Sequence, residues 1–165
     1  MNAGDILNYG HKTVLKATDG IPYEAWETSG VVGFWTLKDV IAHLASLEQV
    51  LLEILTSLQD ETKTADTSTL EQFINHPDFN NSQVALRKNQ TPSQVNEEYQ
   101  IWHQRVQGMV ELTPQPIFKQ VGILPWYGAE FDLEDFLVYT YYGHKREHSA
   151  QIALYKKRLK DLQDK

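Results

Sequence analysis

The chain has 165 residues, 41% of them hydrophobic, which suffices for one domain (residues 1–165) with a sizeable core and is too short for two. Its net charge of −7 comes from 22 acidic and 15 basic residues, and the only basic run is Lys156-Lys157-Arg158-Leu159-Lys160, so a nucleic-acid partner is not expected. There is no cysteine, which excludes disulfides, a thiolate nucleophile and thiolate-ligated metal; any metal site must draw on His, Asp or Glu, and a reducing cytoplasm suits the composition.

The N-terminus lacks a basic flank followed by an apolar run, and no stretch of about 18 uninterrupted apolar residues occurs. The expectation is a soluble cytoplasmic protein with no membrane partner.

Ile6, Leu7, Val14, Leu15 and Ala17 recur at helical spacing and predict a first helix over about Gly4 to Thr18, stopped by Asp19-Gly20-Ile21-Pro22. Tyr23 to Phe34 shows no sustained period and reads as an extended connection with a helical turn at Tyr23 to Trp26. Thr36 then caps a second helix running to about Leu58, with Asp39 at the capping-box position. Its stripe, Leu37, Val40, Ile41, Leu44, Leu47, Leu51, Leu55 and Leu58, follows three-and-four spacing, and His43 sits beside it.

From Gln59 to Gln90 the period breaks, and Asp66-Thr67-Ser68-Thr69 could cap a short helix through Ile74, before Pro77. A connection this long can carry the chain along the length of a bundle, which would let the second and third helices run parallel. The third helix opens at Thr91-Pro92, cap and first helical position, and carries Val95, Tyr99, Trp102, Val106, Met109 and Val110 inward. Ile117 to Phe131 is an apolar loop, either a lid or a short hairpin.

Asp132 caps a fourth helix predicted to run unbroken to about Leu162, roughly 45 Å at 1.5 Å per residue. Its stripe is Leu133, Phe136, Leu137, Thr140, Tyr141, His144, His148, Ile152, Tyr155, Leu159 and Leu162. Four long amphipathic segments with almost no strand signal predict an all-α fold, an antiparallel or mixed four-helix bundle.

His144 and His148 are four apart, so both imidazoles reach one point from one helical face. They stand where core residues belong, and a buried imidazole is costly unless something satisfies it. If the second and fourth helices are neighbours, His43 completes a three-histidine site with room left for water or substrate. The alternative is three separate histidines, each hydrogen-bonded to a nearby tyrosine or carboxylate.

Trp35-Thr36-Leu37-Lys38-Asp39-Val40-Ile41-Ala42-His43-Leu44, together with His144-Lys145-Arg146-Glu147-His148-Ser149-Ala150-Gln151-Ile152, resembles the DinB-like superfamily, and the element order follows it over nearly the whole chain. The resemblance implies an up-down-down-up four-helix bundle with a long crossover between helices two and three. It also implies a homodimer and a divalent metal, nickel or zinc, on His43, His144 and His148. Relatives include bacillithiol S-transferases and mycothiol-dependent maleylpyruvate isomerase. The implied activity is therefore that of a thiol S-transferase, in which metal acidifies a low-molecular-weight thiol cosubstrate, or water, for attack on a small-molecule substrate. Alternatives are a noncatalytic metal- or small-molecule-binding bundle protein and a metal-dependent hydrolase.

His144-Lys145-Arg146-Glu147-His148 also matches the H-x-x-E-H of inverted zinc proteases, but only 17 residues follow His148, too few for the downstream ligand helix. Glu147, about 60° from His144 around the helix, is a catalytic base, a partner that supports a ligating histidine, or a solvated charge. His11 and His103 offer a fourth ligand or are satisfied edge histidines, and His76 reads as loop. Trp126 and Tyr127 could cover a pocket that Trp102, Tyr99 and Tyr141 line, although aromatics at helical spacing usually belong to a core. Asp39 either orients His43 or completes the cap.

Overall fold

Side-chain caps fix where the long helices begin. In the computed structural model, which describes residues 2–165, Asn2, Thr36, Thr91 and Asp132 each accept a hydrogen bond from the backbone N–H three residues on. The residues at those third positions, Asp5, Asp39, Gln94 and Asp135, return a side-chain bond to the cap, a reciprocal box that satisfies two otherwise unpaired donors. The helices are α1 (Ala3–Thr18), α2 (Leu37–Gln59), α3 (Ser68–Asn75), α4 (Phe79–Leu86), α5 (Pro92–Leu112), α6 (Gln115–Phe118), α7 (Leu133–Phe136) and α8 (His144–Gln163). A 3-10 turn spans Tyr23–Glu27 and a π-helical segment, Leu137–Gly143, joins α7 to α8. Among the described residues there is no strand beyond an isolated Val32–Trp35 bridge, so the chain is all-α.

α2 is the central element, packing along α5 and touching α3, α4 and α8, while α1 lies mainly against α8 and the π segment. Leu37, Val40, Ile41, Leu44, Leu47, Leu51 and Leu55 of its predicted stripe are buried, each stabilising the fold by about 1.5–3 kcal/mol relative to exposure. Leu58 is half-buried. By length and composition α2 could cross a membrane, yet 72% of that apolar stretch is buried inside the protein, as in a core helix.

Contacts along the elements follow a definite order. Lys38 at the head of α2 donates to the carbonyls of Lys88 and Gln90 just before α5, Glu48 meets His103 in mid-helix, and Gln59 donates to Thr113 at the end of α5. Between α2 and α8 the order reverses: Tyr141 donates to the Leu47 carbonyl at 2.9 Å, and His144 lies against His43.

The apolar interior falls into two clusters. One gathers Leu7, Leu47, Leu51, Val106, Phe136 and Tyr141; the other gathers Val14, Leu37, Ile41, Leu44, Tyr99 and Ile152. Along α1, α5 and α8 the gap between them is occupied by His11, His103 and Lys145 respectively, and on α2 by Glu48 beside it. A polar layer therefore divides the core.

Several expectations need correction. The fourth helix is not a single α-helix, because the Leu137–Gly143 segment shifts to i to i+5 bonding, and Leu162 near its end is exposed. The long connection holds a second helix, α4, whose first residue Phe79 buries against Phe73 with ring centroids 5.4 Å apart. Residues 117–131 form no hairpin strands. The segment leaves α6, is closed by the Gly122 N–H donating to the Phe131 carbonyl, and packs Trp126 and Tyr127 against Phe136. Gly128 is required there: its φ is +151°, and a Cβ would stand 2.7 Å from the Phe131 ring.

Candidate metal centre

His43 lies in the second turn of α2, fixed by the Thr36–Asp39 box one turn earlier. Asp39 accepts from the Thr36 N–H and is not hydrogen-bonded to His43, so it serves the cap. His144 and His148 occupy the first two turns of α8, directly after the π segment. The structure brings these three together: one ring nitrogen from each falls within a mutual separation of 4.8 Å. His43 Nε2 and His144 Nε2 are 3.4 Å apart, and the His144 and His148 ring centroids are 4.5 Å apart.

Both His43 and His148 are buried, at 2% and 5% exposure, and His144 is half-buried. Burial, with neighbouring histidines adding to it, lowers the His43 pKa to about 3. His144 falls to about 4 for the same reasons, opposed by the Glu147 charge and by a hydrogen bond with the Thr140 backbone. Burial also lowers His148, against the Gln151 hydrogen bond and Glu147. All three are therefore neutral near pH 7, the protonation state in which imidazole can donate a lone pair.

A hydrogen bond selects which nitrogen of His148 is free, while His43 Nδ1 is buried without a partner. His148 Nδ1–H donates to Gln151 Oε1 at 2.8 Å, leaving His148 Nε2 buried without a partner. An orphaned buried nitrogen is costly unless a cation or donor satisfies it. Two nitrogens each about 2.0–2.1 Å from a common tetrahedral ion stand about 3.3–3.4 Å apart, close to the separation between His43 and His144. The donor set thus fits a metal ion. One face of His43 meets the Trp35 ring, 5.1 Å between centroids.

Glu147 is exposed and acts on His144 and His148 only through its charge. His11 and His103 join the polar layer instead of the triad, stacked at 3.8 Å, with His103 bonded to Glu48 and Asn8. Burial and the His103 and Lys145 charges lower the His11 pKa to about 3. Tyr99 and Tyr141 are core residues, Trp102 donates to Glu98, and His76 caps the C-terminus of α3. Trp126 and Tyr127 pack on Phe136 and Phe73, with no contact to the histidines.

The sequence reading gave no role to Gln151, although its spacing of three from His148 was a usable signal. It also missed Glu48 and Lys145, because a charge on an amphipathic helix normally points to solvent.

The chain is an all-α protein with a buried three-histidine cluster that could hold a metal ion. The match to a family is direct: residues 7–152 match the DinB superfamily, and the chain belongs to it. That span includes His43, His144 and His148. No curated protein and no solved structure matches the chain.

Proposed function

We propose that the protein is a divalent-metal-dependent enzyme of the thiol S-transferase type, with His43, His144 and His148 as protein ligands. The observation that carries the metal reading is the unpaired, buried Nε2 of His148, a residue with a ring nitrogen within 4.8 Å of those of His43 and His144. The thiol comes from the resemblance to bacillithiol- and mycothiol-using relatives. A bound divalent ion supplies Lewis acidity that lowers the pKa of a thiol or water at the remaining position.

The chain's own groups then have separate tasks. Three neutral imidazoles supply lone pairs without adding charge, and Gln151 holds His148 in the tautomer that presents Nε2. Glu147, exposed beside the site, accepts the proton that the thiol gives up. The thiolate sulfur forms the new S–C bond to an electrophilic small molecule, whose leaving group departs with its electron pair.

A second reading, noncatalytic binding of a metal or small molecule, is favoured by the deep burial of His43 and His148. Elemental analysis of untagged protein, followed by turnover with a panel of thiols and electrophiles, decides between them. Stoichiometric nickel or zinc with thiol-dependent turnover lost in His148→Ala supports transfer. Bound metal without turnover supports the second reading, turnover without thiol indicates a metal-dependent hydrolase, and no loadable metal overturns the site.

The arrangement proposed with it is a single domain working as a cytoplasmic homodimer, its bundle ordered up-down-down-up. Parallel register from Lys38 through Glu48 to Gln59 along α5, and the reversed register of Tyr141 and His144 along α2, support that order. Light scattering tests the dimer.

A further inference from the structure

The polar layer that splits the core is unexplained by packing alone. Glu48 is fully buried and pairs through Oε1 with the Lys145 ammonium, itself 2% exposed, while Glu48 Oε2 lies 3.3 Å from His103 Nδ1. His103 in turn reaches Asn8 on α1 at 3.3 Å and stacks on His11. One network thus touches α1, α2, α5 and α8. Burying an ion pair costs desolvation that a well-packed apolar pair avoids, so such pairs are better accounted for by fixing register than by adding stability.

Register matters at this level. Lys145 is the residue after His144 and three before His148; Glu48 is five beyond His43 on α2. A slide of α8 along α2 by one turn, 5.4 Å, exceeds the 3.4 Å now separating His43 Nε2 from His144 Nε2. Apolar ridges tolerate such a slide, but a buried charge cannot leave its partner. The Tyr141 hydroxyl on the Leu47 carbonyl pins α8 on the other side of Lys145.

The backbone is shaped to admit the lysine. Gly10 on α1 faces Lys145, where a Cβ would come 3.2 Å from Lys145 Cδ and 3.5 Å from Tyr142 Cα. The absent side chain gives the stem passage between α1 and α8 into the core.

We infer that Glu48 and Lys145 are positioning residues: their buried pair, braced by His103 and admitted by Gly10, holds His144 and His148 opposite His43. The inference rests on the metal centre proposed above. It is tested on the full chain carrying Glu48→Gln with Lys145→Met, through the crystal structure of the metal-free protein, Co(II) titration with its d–d spectrum, and the urea midpoint.

The expected result is a His43–His144 separation wider by about 1 Å or more. Co(II) affinity should fall at least about tenfold with a changed d–d band. The urea midpoint should stay near the parent's, since replacing both charged partners leaves neither ion buried alone. An unchanged separation overturns the inference, and so does a wider separation with the parent's Co(II) affinity and spectrum. If the parent itself binds no Co(II), the metal centre fails while the separation alone still decides positioning. Should the double variant not fold, the isosteric Glu48→Gln is judged by the separation and the Co(II) readouts alone, since it leaves the Lys145 ammonium buried without its partner and lowers the urea midpoint.

Discussion

Gln151 Oε1 stands 2.8 Å from His148 Nδ1, one turn further along α8, and this contact determines which nitrogen of His148 is left without a partner. Replacing Gln151 by Leu frees the ring to rotate and to adopt the other tautomer. Metal affinity should then fall by about 10–100-fold, with little change in the stability of the metal-free protein. Competition titration against a chromophoric chelator measures this; an affinity within twofold of the parent's would remove Gln151 from the site.

Metal should also register as stability. A ligand that binds only the folded chain adds about 2.7 kcal/mol at a free concentration of 100 times its Kd. Urea denaturation with and without zinc should show a gain of that order in the parent and almost none in His148→Ala. Equal gains in the two proteins would mean that zinc binds elsewhere.

Acid should destabilise the metal-free protein in a definite window. His11 and His43 are held down to about 3, so the folded chain leaves them neutral while the unfolded chain protonates them at the ordinary value of 6.5. The unfolded state binds more protons below that value, and stability present above pH 6.5 is lost as pH falls toward 3. The slope is about 1.4 kcal/mol per pH unit for each such histidine. Denaturation series at pH 7.5, 6 and 5 with chelator present should show a flat region followed by a decline. A stability that holds constant from pH 7 to 5 contradicts the assignment.

Thr36 anchors the helix that carries His43. Thr36→Ala removes the acceptor for the Asp39 N–H and should cost about 1 kcal/mol, whereas Thr36→Ser should keep most of it. Amide exchange at Asp39 and Val40 should accelerate in the alanine variant. Protection identical to the parent's would show that packing, not the cap, holds this turn.

How far the sequence reveals this molecule depends on the range of each interaction. The boxes at Thr36–Asp39 and Thr91–Gln94 and the α2 stripe are local and periodic, so they are legible in the chain itself. The same is true of His144 and His148, which share a helical face, and His43 follows from its place beside the stripe. Three kinds of feature escape such a reading. The π segment leaves the composition of Leu137–Gly143 looking like ordinary helix. α4 forms because Phe79 finds Phe73 and the core, a tertiary contact. Glu48 and Lys145 are 97 residues apart, and each looks like a surface charge until the other is seen beside it.

The π segment carries a last consequence, which concerns angular phase. Each residue of an α-helix advances the side-chain direction by about 100°, and a π turn accommodates one residue more than an α turn. Leu137–Gly143 therefore sets the phase of α8 separately from that of α7. Deleting one residue within it would let the segment close to an α turn and largely keep that phase, whereas inserting one α-helical residue after it would leave Leu133 and Phe136 in their places while turning His144 and His148 by about 100° away from His43. At this point in the chain an insertion is more damaging than a change of residue, since substitution alters one side chain and insertion re-aims two donors together.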